Sequence, residues 1–233
     1  MSEKSSTPLS QNEVRERGRA LFAGMDVGQL TRWNAELRVQ SPGEIIRWAV
    51  GQAKGRAIVS TNFRPYEAAI LHAATQVQPD IPVLWVDAGY GTPAMYRLAD
   101  ELAAALKLNL RIYRPRRSKA HREAIDGPLP GLGDPRHAAF TEEVKLEPFD
   151  RAVKELGAEV WISGIRAEET AERAAMQPVS LARDGVIRVA PVLYWSARQM
   201  NDYLKRFGLP NNFDYFDPTK VDDKRECGLH VAR

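Results

Sequence analysis

The 233-residue sequence is long enough for one domain with a sizeable core, and 44% hydrophobic and 27% charged residues are typical of a soluble globular protein. It has no apolar run near the roughly 18 residues that would cross a membrane, and its start, MSEKSSTPLSQNE, lacks the apolar core of a secretory signal. We therefore expect a cytoplasmic protein that does not bind membranes. The net charge of +3 is mild, and the single cysteine, Cys227, excludes an internal disulfide and a multi-cysteine metal site.

The N-terminal region is predicted to be mostly helical after a disordered start. Residues 1–10 are polar and are expected to be disordered. Residues 11–40 show helical spacing of apolar side chains, with a break near residues 24–28, and a further helix is expected over 42–52.

From residue 56 onward, apolar strand segments alternate with amphipathic segments. Five strands are predicted, in RAIVST (56–61), IPVLWVD (81–87), LNLRIYR (108–114), AEVWISG (158–164) and GVIRVAPVLY (185–194). Strands separated by helices indicate an α/β fold with an open, mainly parallel five-stranded sheet and helices on both faces.

Helices are expected between these strands. The predicted segments are 67–77, 93–108, a helix that ends at Gly157, and a helix that begins after Ser196 as N-cap and ends at Gly208. The segment 114–140 is rich in Gly, Pro and Arg and is predicted as a long loop.

Ligands of an open parallel sheet bind beyond the carboxyl ends of its strands, which makes the segments after the strands informative. The turn after the first strand, STNFRPYE, lacks the Gly-Lys-Ser/Thr ending of a Walker A loop and is not G-x-G-x-x-G. Basic residues cluster in RPRRSKAHR (114–122) and KRECGLH (224–230). They favour a small phosphorylated ligand over nucleic acid, and a solvated loop is the alternative for 114–122.

Several stretches, in order, resemble the phosphoadenylylsulfate (PAPS) reductase family. They are STNFRPYEAAILH, IPVLWVDAGYGTPAMYRLADEL, KLEPFDRAVKELGAEVWISGIRAEETAER, IRVAPVLYWSARQMNDYLKRFGLP and KRECGLH. The ECGLH ending is the most specific of them. The resemblance runs from about residue 40 to the end and implies an adenine nucleotide α-hydrolase-like fold. It implies one sulfonucleotide-binding domain over 11–220, including the N-terminal helices, and a mobile catalytic tail over 221–233.

The resemblance implies that Cys227 is the nucleophile. Its thiolate would attack the sulfur of PAPS, and thioredoxin or glutaredoxin would then release sulfite from the S-sulfocysteine. A thiolate that attacks an anionic substrate needs positively charged groups nearby. Lys224 and Arg225 could supply this charge while they bind the nucleotide, and His230 could add a hydrogen bond. An inert tail thiol is the alternative.

The same resemblance implies a homodimer with no bound cofactor. The related adenylylsulfate (APS) reductases carry additional cysteines for an iron–sulfur cluster, and the region before KLEP contains none. A cluster held by cysteine thiolates is therefore excluded, which favours PAPS over APS as substrate.

Further substrate contacts are implied at the strand ends. Arg166 and Arg173 match arginines that bind the phosphate and sulfate groups, and Lys145 matches a lysine near the phosphosulfate. The alternatives are a solvated helix face for the arginines and a surface position for the lysine.

The turn after the first strand, STNFRPYE, corresponds to the phosphate-binding turn of the family and is called the phosphate turn below. Ser60 and Asn62 begin it and are expected to contact the substrate, with a helix cap as the alternative role. Asp87 matches a strand-end aspartate, with a cap or turn role as the alternative. His72 is interpreted as a packing residue or a structural hydrogen-bond partner, and no metal site is predicted.

The sequence departs from the family at three points. Phe63-Arg64-Pro65 replaces Phe-Gly in the phosphate turn, and Arg64 could substitute a direct charge for backbone contacts. Tyr194-Trp195 replaces Asp-Trp, and the segment before ECGLH is short and lacks the usual Ser-(Ile/Val)-Gly-Asp. An APS-using reductase and a non-catalytic nucleotide-binding relative therefore stay open. An ATP-using sulfate adenylyltransferase subunit and a nucleic-acid-binding module are less favoured.

Overall fold

The computed structural model describes residues 27–131, 133–182, 185–220 and 229. Some predictions concern residues outside the described ranges: the disorder expected over residues 1–10, the helices expected before residue 27, and four site residues of the tail, Lys224, Arg225, Cys227 and His230. Across those described ranges, every helix is too short or too polar to cross a bilayer.

Within the described part of the chain, one open sheet contains six strands in the order β3-β2-β1-β4-β6-β5. All pairings are parallel except the antiparallel pair of β5 and β6 at the edge. The strands are β1 Ala57–Thr61, β2 Pro82–Val86, β3 Asn109–Tyr113, β4 Val160–Ile162, β5 Val179–Leu181 and β6 Ile187–Val189. The predicted open, mainly parallel α/β sheet is confirmed. The sheet gains β5 beyond the five predicted strands, because Val179–Leu181 lie outside any longer apolar run such as those that contain β4 and β6.

Helices cover the sheet and connect its parallel strands. They are α1 Val27–Leu37, α2 Pro42–Ala53, α3 Glu67–Val77, α4 Pro93–Ala105, α5 Lys119–Asp126, α6 His137–Thr141, α7 Glu147–Glu155, α8 Ala171–Ala174 and α9 Ala197–Phe207, with a π-helical segment Glu142–Leu146 between α6 and α7 and a 3₁₀ turn Ala167–Glu169 before α8.

Local sequence signals placed several helix ends correctly. The predicted Ser196 N-cap accepts a hydrogen bond from the Gln199 N–H, and Gly208 ends α9 in the left-handed region at φ 62°. Helix α4 ends at Ala105, before the predicted end at 108, and Lys107 follows with φ 50°.

The prediction of a loop over 114–140 was wrong in part. The segment contains α5, which is capped by Ser118, and the start of α6. In α5, KAHREAID, the buried residue is Arg122 and Ile125 is exposed, so the helix is too polar to be predicted as part of the hydrophobic core.

Successive residues of the central strands point to opposite faces of the sheet and pack into two different hydrophobic cores. Val59 of β1 lies in the larger core with α2, α3 and α4, whereas Ile58 points to the opposite face, against Trp161 and Phe149 of α7. From β1, the chain adds β2 and β3 on one side and then crosses to β4 on the other. The strand order therefore switches between β1 and β4, where a crevice at the carboxyl ends is expected to bind ligand.

Candidate active site

A cleft with a volume of ≈ 410 Å³ opens at this switch point. Six of the predicted substrate-binding residues line it: Ser60, Asn62, Arg64, Lys145, Arg166 and Arg173. Asp87, which follows β2, lines a small adjoining cavity together with Asn62 and Lys145. Residues predicted from four separate stretches of sequence are thus brought to one edge of the sheet.

The turn after β1 holds a buried carboxylate. Glu67 Oε2 accepts hydrogen bonds from the Thr61 hydroxyl at 2.8 Å and the Asn62 backbone N–H at 2.7 Å. Glu67 Oε1 accepts one from Arg64 Nε at 2.7 Å. Phe63 and Tyr66 adopt left-handed φ values of 51° and 70°, a strained conformation for residues that have a Cβ. The turn is thus held closed around a carboxylate that the sequence analysis had not singled out.

Ser60 links this turn to the neighbouring strand. Its hydroxyl oxygen accepts a hydrogen bond of 2.7 Å from the indole N–H of Trp161 on β4. The alternative of a helix cap does not hold for Ser60, because Tyr66 is the N-cap position of α3.

Arg64 lies along the cleft wall and is paired with protein groups. Besides Glu67, its guanidinium contacts Glu169 and donates a 2.9 Å hydrogen bond to the Gly164 carbonyl. Burial acts against the charged form, but Glu67 and Glu169 outweigh it and raise the pKa of Arg64 above its ordinary range. The arginine that replaces the family glycine therefore connects the turn after β1 to the segment after β4.

Glu169 is the common partner of three arginines. Its carboxylate pairs with Arg64, Arg166 and Arg173. Burial opposes the charged carboxylate, but Arg64 and Arg173 prevail and lower the pKa of Glu169 to about 2. Sequence reasoning missed this residue, although its spacing of three and four positions from Arg166 and Arg173 was a usable signal.

Arg166 and Arg173 are not on a solvated face. They are 8% and 2% exposed, so that alternative is wrong. The Arg166 guanidinium also pairs with Glu168 and lies 5.3 Å from the Tyr66 ring centroid, a cation–π distance. The α8 helix that carries Arg173 is capped by the Thr170 hydroxyl.

Lys145 is buried at 5% exposure, so its surface alternative is also wrong. Its Nζ pairs with Asp217 and lies 3.3 Å from the Thr219 hydroxyl. Burial opposes the Asp217 carboxylate, but Lys145 and Thr219 outweigh it and lower the pKa of Asp217 to about 2. Asp217 belongs to the segment that differs from the family, and sequence reasoning assigned it no role.

The segment 209–220, which follows α9, crosses the carboxyl ends of the strands. The Asn211 side chain accepts a hydrogen bond from the Tyr66 N–H at 2.8 Å, and Thr92 donates one of 2.7 Å to the Asp214 carbonyl. Lys220 lines the cleft. The chain therefore reaches the cleft seven residues before the cysteine.

Leu229, from the ECGLH ending, also lines the cleft. Its half-buried side chain packs against Phe149, Val153, Trp161 and Val186 on the α7 face of the sheet. The described residues on both sides of Cys227 in sequence, Lys220 and Leu229, thus border the same cavity.

Asp87 and His72 hold local structure. Asp87 Oδ1 accepts hydrogen bonds from the Gly89 N–H at 3.0 Å and the Tyr96 hydroxyl at 2.8 Å, and Oδ2 faces Arg114. Burial and then Asp87 raise the pKa of Tyr96 to about 12. His72 Nδ1 lies 2.9 Å from the Tyr203 hydroxyl, which confirms its structural interpretation.

The described ranges contain no cluster of three or more His, Cys, Asp or Glu residues arranged to hold a metal ion. The charged groups of the cleft are arginines, lysines and the carboxylates that pair with them. Such a cleft offers charge-assisted hydrogen bonds to phosphate and sulfate oxygens.

The open, mainly parallel sheet with a cationic cleft at its switch point has the adenine nucleotide α-hydrolase-like fold. Two solved structures share this fold. PAPS reductase from Candida auris, in a phosphate complex, superimposes with a TM-score of 0.65 at 24% identity and covers 89% of this chain and 92% of its own. FMN adenylyltransferase from Candida glabrata, with FAD and pyrophosphate, gives 0.52 at 11% identity, over 82% of this chain and 65% of its own.

Sequence comparison identifies the family. Residues 56–216 match the phosphoadenosine phosphosulfate reductase domain. The phosphoadenosine 5'-phosphosulfate reductase of a Synechococcus species is 38% identical, over 87% of this chain and 97% of that relative. The enzyme of the same name from Salmonella paratyphi A is 34% identical, over 86% and 91%. The chain belongs to the PAPS reductase family.

Proposed function

We propose that this protein reduces PAPS to sulfite and adenosine 3',5'-bisphosphate in sulfate assimilation, with Cys227 as nucleophile and thioredoxin or glutaredoxin as reductant. The observation that carries the proposal is the shared cleft. Arg166, Arg173 and Lys145 line it from three elements, and Leu229, two residues after Cys227, lines it as well. Because the chain belongs to the PAPS reductase family, we assign PAPS reduction to this cleft.

The cations of the cleft offer the positive charge and the N–H donors that the phosphate and sulfate groups of a sulfonucleotide require. Arg166 and Arg173 would bind phosphate or sulfate oxygens through paired N–H groups, and Lys145 would act as a point charge near the phosphosulfate. In the structure, these cations pair with Glu168, Glu169 and Asp217. Substrate binding would therefore exchange protein carboxylates for ligand oxygens. Ser60, Asn62, Arg64 and Asp87 would shape the strand-end wall beside the nucleotide.

In the first step, the Cys227 thiolate attacks the sulfur of PAPS. The new S–S bond forms as the S–O bond breaks, and the electron pair leaves on the phosphate oxygen of adenosine 3',5'-bisphosphate. Lys224 and Arg225 would favour the thiolate and the anionic substrate, and His230 would add a hydrogen bond. The chain permits this attack, because two residues span at most about 7 Å and Leu229 already lies in the cleft wall.

In the second step, a thiolate of the reductant attacks the Cys227 sulfur and sulfite departs with the bonding pair. The second thiol of the reductant then resolves the mixed disulfide and restores Cys227. The substrate sulfur gains two electrons, and the partner dithiol becomes a disulfide. One cysteine in this chain is sufficient for such a cycle. We further infer a cytoplasmic homodimer that uses no iron–sulfur cluster.

The test is the intact mass of pre-reduced protein after incubation with PAPS and no reductant. We expect the wild type to gain one sulfonate, Cys227→Ser to gain none, and thioredoxin to remove the adduct. An adduct with APS but not PAPS would replace the proposed substrate. No adduct with either nucleotide would refute the function and favour a non-catalytic relative.

A further inference from the structure

The turn after β1 is built to hold an anion, and in this protein the anion is part of the chain. A hydroxyl, a backbone N–H and a guanidinium N–H converge on one point near the start of α3. Donors grouped in this way at a helix N-terminus commonly bind phosphate or sulfate. Here they hold the Glu67 carboxylate, which is 6% exposed.

The partners of Glu67 account for its fixed position. Thr61 is 3% exposed, and its hydroxyl oxygen also accepts the Phe63 N–H at 2.9 Å, which orients the hydroxyl proton toward Glu67. Arg64 is held from the far side by the Gly164 carbonyl and Glu169. The carboxylate therefore occupies a preorganised position, and an entering oxyanion would have to displace it and meet its charge.

We infer that Glu67 is a specificity-determining residue. Its carboxylate occupies the anion position of the turn and thereby excludes inorganic oxyanions such as phosphate and sulfate from it. The ligand anions are then bound by the other cations that line the cleft, Arg166, Arg173 and Lys220. Phosphate and sulfate share the tetrahedral oxyanion shape of the groups on a sulfonucleotide, so an open turn would offer such groups a second binding position in the same cleft. The exclusion of oxyanions by Glu67 is a property of the cleft and can be tested without the substrate. Only the identification of the substrate as a sulfonucleotide rests on the proposed function.

Two replacements open the turn to different degrees. Glu67→Gln keeps the side-chain shape and one acceptor oxygen but removes the charge, whereas Glu67→Ala empties the position. Glu172→Gln is the matched control, because Glu172 is exposed on α8 and its loss changes the net charge equally. Circular dichroism establishes that each variant is folded, and Glu67→Gln keeps the test decisive if the alanine variant is not.

The measurement is the dissociation constant of inorganic phosphate, by titration calorimetry at constant ionic strength with chloride as the balancing ion. We expect weak binding to the wild type and to Glu172→Gln. Binding to Glu67→Ala should be tighter by about tenfold, the value of one charge-assisted hydrogen bond, with a smaller gain for Glu67→Gln. Adding Arg64→Met to Glu67→Ala should cancel the gain, because it removes the charged donor of the turn.

Equal phosphate affinity in the wild type and in a folded Glu67 variant would overturn the inference. A gain that survives Arg64→Met would also overturn it, because phosphate would then bind elsewhere. The readout needs no turnover. A wild type that forms no adduct with PAPS would therefore refute the proposed function and leave the role of Glu67 to be decided by the titrations.

Discussion

Replacement of Asp217 by asparagine tests whether a buried ion pair fixes the segment 209–220 over the cleft. Lys145 and Asp217 are 5% and 8% exposed, so the change leaves the lysine charge buried beside a neutral amide. Breaking one partner of such a pair costs about 3 kcal/mol or more in the free energy of unfolding. Asp214→Asn is the control, because Asp214 lies in the same segment with an exposed side chain.

The Lys145–Asp217 pair also predicts that the free energy of unfolding depends on pH. The pKa of Asp217 is lowered from 3.8 to about 2 in the folded protein, so its stabilisation is present above the unfolded value and is lost as the pH falls toward 2. The shift corresponds to about 2 kcal/mol, of which about 1 kcal/mol is lost by about pH 3. The stability difference between wild type and Asp217→Asn should therefore shrink by that amount between about pH 7 and pH 3.

Urea unfolding followed by tryptophan fluorescence measures both effects. The double replacement Lys145→Met with Asp217→Asn should be less destabilised than the sum of the single changes, because it leaves no charge uncompensated. A stability difference that is equal at the two pH values would refute the linkage. A loss for Asp217→Asn no greater than that for Asp214→Asn would refute the structural role of the pair.

Two further changes test substrate contact and tail docking. Arg173→Lys should raise the KM for PAPS by about tenfold or more with a smaller effect on kcat, because lysine cannot present two parallel N–H bonds to an oxyanion. Arg198→Lys on the exposed side of α9 is the control, and an unchanged KM would contradict contact of Arg173 with the substrate. Leu229→Ala should slow sulfonate transfer to Cys227 by about fivefold, since it removes about 1 kcal/mol of half-buried apolar contact. Its free energy of unfolding should fall by no more than that contribution of about 1 kcal/mol. Leu181→Ala at the exposed sheet edge is the control, and an unaltered transfer rate would count against docking.

Much of the fold could be predicted because its signals are local. Helix α3 spans the predicted residues 67–77, and the Ser196 cap and Gly208 bound α9 as expected. Caps, turns and apolar runs depend on a few neighbouring residues, and the alternation of strands and helices largely determines the sheet type. The edge strand β5 escaped prediction because it lies outside any longer apolar run, and helix α5 escaped because it buries an arginine instead of an apolar stripe.

The same distinction holds for the cleft. Its place in the turn after β1 was sufficient to predict Asn62 as a cleft residue, whereas Lys145, Arg166 and Arg173 were predicted from the family resemblance. Their counter-charges were not predictable, because Lys145 and Asp217 are 72 positions apart and Arg64 and Glu169 are 105 apart. The sequence by itself thus determined which chemical groups reach the carboxyl edge of the sheet. The tertiary structure alone decided that Glu67, Glu169 and Asp217 meet them there, because buried charges need partners and the folded backbone determines which carboxylates lie within reach.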